Sequence, residues 1–199
     1  MVSKKTDNEI EDLLNELIKQ ENEDSFCNVC VNNFVKAALK FDTKIFNATY
    51  LNASNKFKAI EFYKKIMLPT FKKIGLFWLT NKMNPAQEHF LSEHIKQKIA
   101  VATDSKFSKD NTGPSWLLFL PEGEFHEIGL LFAKFLLVQH GYNVIFLGPN
   151  VPYGSLAQVS QNIKIDNTLL FCVANTTKNN LDFTIKYLES KSKFLKLIL

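Results

Sequence analysis

The sequence predicts an all-α helical bundle over residues 1–104, followed over residues 116–199 by an α/β segment with a doubly wound parallel sheet. Three observations predict it. Upstream of about residue 110, apolar residues recur at spacings of three and four, with no strand-period segment between them. Downstream, short apolar runs alternate with helical patterns, the texture of strands buried on both faces by covering helices. Between the two, SKFSKDNTGPS (105–115) is polar and carries Gly113-Pro114, a linker composition.

The first candidate helix carries Ile10, Leu13, Leu14, Leu17 and Ile18; the second is SFCNVCVNNFVKAALKF (25–41). Asp42 is placed to cap the open N–H groups of a third, DTKIFNATYLNAS. FKAIEFYKKIMLPTFKKIGLFWLTNK (57–82) reads as a fourth, which Pro69 should kink. Asn84-Pro85 opens the last, NPAQEHFLSEHIKQKIAVATD, with proline presetting φ. In the second half SWLLFLP is a strand, EFHEIGLLFAKFLLVQH a helix stopping at Gly141, and YNVIFLG a strand. PYGSLAQVSQNIK is a helix, NTLLFCVA a strand, LDFTIKYLESK a helix and FLKLIL a strand. Right-handed crossovers make such a sheet doubly wound. Because the chain stops at that last strand, the α/β domain is expected to be incomplete, short of at least one strand and helix.

The bulk numbers narrow the function. The 199 residues are 46% hydrophobic and 22% charged, with 18 Phe, which fits a soluble globular chain with large buried aromatic area. A formal charge of +4, from 24 basic and 20 acidic residues, is too mild for a nucleic-acid-binding surface. The chain opens without a secretory signal and has no run of membrane-spanning length, so a cytoplasmic location is expected. Three cysteines build no disulfide framework, and Cys27 and Cys30 read as small apolar residues on one helix face. His89 and His94 are five apart, on different faces, so EHFLSEH is not a zinc site.

In open α/β sheets, ligands sit beyond the carboxyl ends of the strands. The first such turn, LPEGEFHEIG, lacks GxGxxG and GxxxxGK[ST], and its three glutamates would repel phosphate. It offers instead an imidazole, His126, with Glu124 near enough to accept its second ring N–H, as metal-bound histidines usually require. Gly129 keeps the first helical turn free of a side chain, so that something flat could approach.

This E-x-H-x-x-G turn resembles the D-x-H-x-x-G signature of cobalamin-binding domains, as in methionine synthase, and GYNVIFLGPNVP (141–152) is similar to that family's second strand and L-G-x-x-V-P turn. Trp78 followed nine residues later by Glu88-His89 resembles the four-helix cap of cobalamin-dependent light-sensing repressors of the MerR group. The resemblance implies a four-helix-type bundle and a Rossmann-like, flavodoxin-like sheet domain. It implies His126 as the lower ligand of cobalt, with Trp78, Glu88 and His89 closing over the upper face. Adenosylcobalamin is the expected cofactor, with methylcobalamin the other form the family uses. A sensor region that forms homo-oligomers, and is not itself an enzyme, follows from the same likeness. A helix-turn-helix module reading DNA would lie upstream of these residues, because the acidic N-terminal helix has no basic recognition face. Two other readings accompany it: a corrinoid methyl-carrier protein, and a cofactor-free relative serving only for oligomerisation. Leu79 stands where the light sensors carry a histidine, which removes a bis-histidine photoproduct. Pro85 stands where they carry a small branched residue of the upper pocket, and Phe171-Cys172-Val173 stands where the family carries S-x-L.

Overall fold

The computed structural model of the chain describes residues 7–106, 113–170, 172 and 186. The chain divides into two compact units, Met1–Glu93 and His94–Leu199.

In the first unit, α1 (Asp7–Lys40) is a single 34-residue helix where the periodicity predicts two. The joining stretch, Gln20 to Asp24, has neither glycine nor proline, so nothing interrupts the hydrogen-bond ladder. The helix ends at Phe41, whose φ of 52° is left-handed. Asp42 then caps α2 (Thr43–Lys56), its carboxylate accepting from the amides of Lys44 and Ile45, both at 2.9 Å. The segment expected as one kinked helix is three pieces: α3 (Ala59–Phe62), a π-helical turn (Tyr63–Met67) and α4 (Leu68–Leu79). Pro69 has no N–H to offer the Lys65 carbonyl, and its ring would strike that oxygen. Widening the turn just ahead relieves both problems, and the Leu68 amide donates five residues back to the Tyr63 carbonyl.

Asn84 opens α5 (Pro85–Asp104) with a reciprocal cap: the Gln87 amide donates to Asn84 Oδ1 at 3.0 Å, and the Asn84 amide to Gln87 Oε1 at 2.9 Å. Gln87 Nε2 also donates to the Leu39 carbonyl at 3.0 Å, serving one of the open carbonyls at the end of α1. Phe34, Phe46, Ile66 and Leu91 are fully buried, and the Phe34 ring meets Phe46 edge-on at 5.3 Å. Cys27 and Cys30 are buried with them, and that burial raises both thiols above the ordinary thiol range.

In the second unit, β1 (Ser115–Pro121), β2 (Asn143–Val151) and β3 (Asn167–Leu170) form a parallel sheet of order β2-β1-β3, with α6 (Ile128–Gln139) and α7 (Tyr153–Asn162) as crossovers. Side chains alternate along β1 as a strand requires. Leu117 and Phe119 pack with Val151, Leu156 and Leu170 on the α7 side; Leu118 and Leu120 pack with Leu130 and Leu169 on the α6 side. Both faces are covered, so this is the doubly wound sheet the alternating pattern predicts. Its amino edge is closed by Asp166, whose Oδ2 accepts the Ser115 amide at 2.9 Å.

Two boundaries differ from expectation. The helical pattern beginning at Glu124 becomes a helix only at Ile128, leaving 124–127 as loop. β2 runs on to Val151, past the predicted end at Gly148. Phe171, the predicted helix 181–191 apart from Lys186, and the predicted strand FLKLIL lie outside the described residues. Among those described, no helix is long and apolar enough to cross a membrane.

Candidate functional site

Strand order reverses at β1, the central strand, so its carboxyl edge is where an open α/β sheet holds its ligands. The chain leaves that edge through a tight turn. The Glu124 amide donates to the Pro121 carbonyl at 3.0 Å, and Gly123 has φ +85° at the third position. That is a type II turn, whose third residue must be left-handed and is therefore glycine.

The turn delivers Glu124 inward and His126 outward. Glu124 is 1% exposed, and a carboxylate so deeply buried is costly unless donors surround it. They do. Its Oε1 accepts the Phe125 amide at 2.9 Å, the His126 amide at 2.9 Å, and lies 2.7 Å from His126 Nδ1. The two amides belong to the stretch the sequence pattern assigns to a helix; they bond to the carboxylate, and the helix starts only at Ile128. An ionised carboxylate only accepts, so the hydrogen bond puts the imidazole proton on Nδ1. The Nε2 lone pair is then left for something outside, on a side chain 63% exposed. A fixed ring, an engaged Nδ1 and an open Nε2 are what a metal-ligating histidine needs.

Neighbours hold the loop. Glu127, next to His126, pairs at 3.0 Å with Lys96, in the part of α5 that belongs to the second unit, both side chains largely buried. Asn150, at the end of β2, accepts the Gly123 amide on Oδ1 at 2.9 Å and donates its own amide to the Glu124 carbonyl at 3.0 Å. Gly129 sits half-buried in the first turn of α6.

The other predicted residues lie in the first unit, where Trp78 is the last residue but one of α4 and Glu88 and His89 stand in the first turns of α5. Five residues, Thr80 to Asn84, join the two helices. Trp78 is 53% exposed and Leu79 81%, uncommon for residues with so much apolar surface to bury. Glu88 Oε2 lies 3.4 Å from His89 Nδ1, and the helix N-terminus favours the carboxylate there. The structure thus brings together Glu124 with His126, and Glu88 with His89. Asn150, Lys96 and Glu127 carry roles that sequence reasoning missed. Asn150 had a signal, since asparagine after Gly-Pro favours left-handed turns; Lys96 and Glu127, 31 positions apart, had none.

Residues 30–103 match the family model described as "B12 binding domain". Over 100 residues the chain is 30% identical to the HTH-type transcriptional repressor CarA of Myxococcus xanthus, covering 50% of this chain and 33% of that protein. Over 128 residues it is 26% identical to the HTH-type transcriptional repressor CarH of the same organism, covering 64% of this chain and 42% of that one. The chain therefore spans well under half the length of these curated relatives. The solved structure of the Methanosarcina barkeri monomethylamine corrinoid protein aligns with a TM-score of 0.63 at 16% identity, covering 89% of this chain and 82% of that one, a likeness of fold.

Proposed function

We propose that this chain, whose residues 30–103 match a B12 binding domain, is the cobalamin-binding sensor region of a MerR-type transcriptional regulator. The observation that carries the reading is the buried Glu124 carboxylate fixing Nδ1 of an exposed His126 at the carboxyl edge of β1. His126 would hold cobalamin through a single nitrogen donor to its cobalt, the cofactor itself supplying the remaining ligands. One imidazole with a free Nε2 is therefore a sufficient lower ligand, and the residues present fit that role.

In this reading His126 ligates, Glu124 holds its tautomer, and Gly129 leaves the first turn of α6 open to a flat group. Trp78, Glu88 and His89 are assigned to the upper ligand: an indole for flat apolar surface, a carboxylate for hydroxyls, an imidazole for a base edge. That set favours the adenosyl form. DNA contact is assigned to a helix-turn-helix module outside these residues, and signalling to a change in how copies of the chain associate. A ligand shifts such an equilibrium only by its differential affinity for the two states.

Leu79 favours a second reading. Without a histidine after Trp78, the bis-histidine photoproduct the resemblance implies has no second histidine here, which suits a corrinoid methyl carrier that does not respond to light. Upper-ligand preference separates the two: tighter binding of adenosyl- than methylcobalamin supports the sensor. The shared claim is tested by incubating the chain with each corrinoid and desalting. A retained corrin spectrum that His126→Ala weakens supports it; colourless protein with both corrinoids refutes it.

A further inference from the structure

The turn bearing His126 is held from outside by one residue of the neighbouring strand. The seven residues of β1 pair with the nine of β2, and the register slips twice, between Leu118 and Phe119 and between Phe119 and Pro121. Each slip inserts one extra residue into β2, near the carboxyl edge. Such bulges re-aim side chains beside functional sites. At the second slip sits Asn150, one of three non-glycine residues with positive φ among the described residues, at 55°. Asparagine tolerates that conformation better than most residues, though at some cost.

The strained residue makes two hydrogen bonds to the His126 turn. Its backbone amide donates to the Glu124 carbonyl at 3.0 Å, and its Oδ1 accepts the Gly123 amide at 2.9 Å. The second contact has a specific reason. In a type II turn the central peptide is flipped, so the N–H of its third residue points away from the turn and needs a partner elsewhere.

We propose that Asn150 is a positioning residue for His126: the double bulge of β2 exists to present it, and it holds the Pro121–Glu124 turn in the form that lets Glu124 grip the imidazole. The purpose of that grip rests on the cobalamin reading; the grip itself is measurable without cofactor.

The test compares Asn150→Gly, which accepts the positive φ but lacks the side chain, with Asn150→Asp, which keeps an acceptor oxygen. Amide hydrogen exchange is measured at Phe125 and His126, whose N–H groups bond to Glu124, with Leu169 of β3 as reference. In Asn150→Gly, exchange at 125 and 126 should quicken by about threefold to tenfold, the worth of one lost hydrogen bond, with Leu169 unchanged. Asn150→Asp should restore it, and adenosylcobalamin affinity should fall and recover in parallel. Unchanged exchange at 125 and 126 overturns the proposal. So does exchange that quickens equally at Leu169, which would make Asn150 a matter of general stability. If wild-type chain retains no corrinoid while the exchange pattern holds, the cobalamin reading falls and the role of Asn150 stands.

Discussion

Replacing Glu124 by glutamine keeps the shape of the side chain and removes only its charge. Three N–H donors converge on Oε1 within 2.9 Å: the amides of Phe125 and His126 and the Nδ1 of His126. Hydrogen bonds to an ionised acceptor are about twice as strong as neutral ones, whose net worth is about 1 kcal/mol each, so the three together lose about 3 kcal/mol. A neutral amide costs less to bury, which returns about 1–2 kcal/mol of that. The fold should therefore survive with a loop looser by about 1–2 kcal/mol. Function should suffer more, because a neutral amide oxygen holds the Nδ1 proton more weakly than the carboxylate does, and loss of such a partner at a ligating histidine costs about tenfold to a hundredfold in metal affinity. Equilibrium dialysis with adenosylcobalamin measures the affinity; imidazole 15N shifts of the cofactor-free protein measure the tautomer. Affinity within about twofold of wild type, together with an unmoved tautomer, would refute the reasoning.

Asp166 is held below the usual carboxylate range first by the Ser115 amide, then by the Ser115 hydroxyl, with Lys164 assisting and partial burial opposing. A depressed folded-state value stabilises fully above the unfolded value of about 3.9 and is lost as pH falls through the folded one. Asp166→Asn should therefore lower Tm at pH 7 and flatten the acid limb of a Tm profile; a parallel offset that persists below pH of about 2 would contradict this. In the helical unit, Phe34 is fully buried against the rings of Phe46 and Phe62. Phe34→Ala should cost about 3–5 kcal/mol in urea unfolding, and a loss under about 1 kcal/mol would mean the ring is not at the centre of that core.

Much of this was legible from periodicity. The three described strands, the two crossovers between them and the caps at Asp42 and Asn84 follow from local chemistry that tertiary context did not overrule. What escaped was set by through-space geometry. The single α1 could not be told from two helices, because a polar stretch without glycine or proline reads equally as helix or as loop. The π turn needs the Pro69 ring and the Lys65 carbonyl seen together; sequence marks the trouble without its remedy. The two slips in β2 leave alternation superficially intact, so they could not be foreseen; Gly148-Pro149-Asn150 marks a left-handed turn without showing what Asn150 would hold. At the site, Glu124 and His126 were legible because they are two residues apart, whereas the Lys96–Glu127 pair spans 31 positions. The helix expected from Glu124 begins at Ile128, with the Phe125 and His126 amides bonded to the Glu124 carboxylate.

The central claim is that the nitrogen beneath cobalt comes from His126. It is tested most directly by electron paramagnetic resonance of the cob(II)alamin complex, prepared from protein labelled with 15N in its histidines. Ligation by His126 gives cobalt lines split into doublets by the spin-half 15N nucleus, and His126→Ala abolishes them. Lines that stay split into triplets, the signature of the cofactor's own 14N base still bound, would contradict the account.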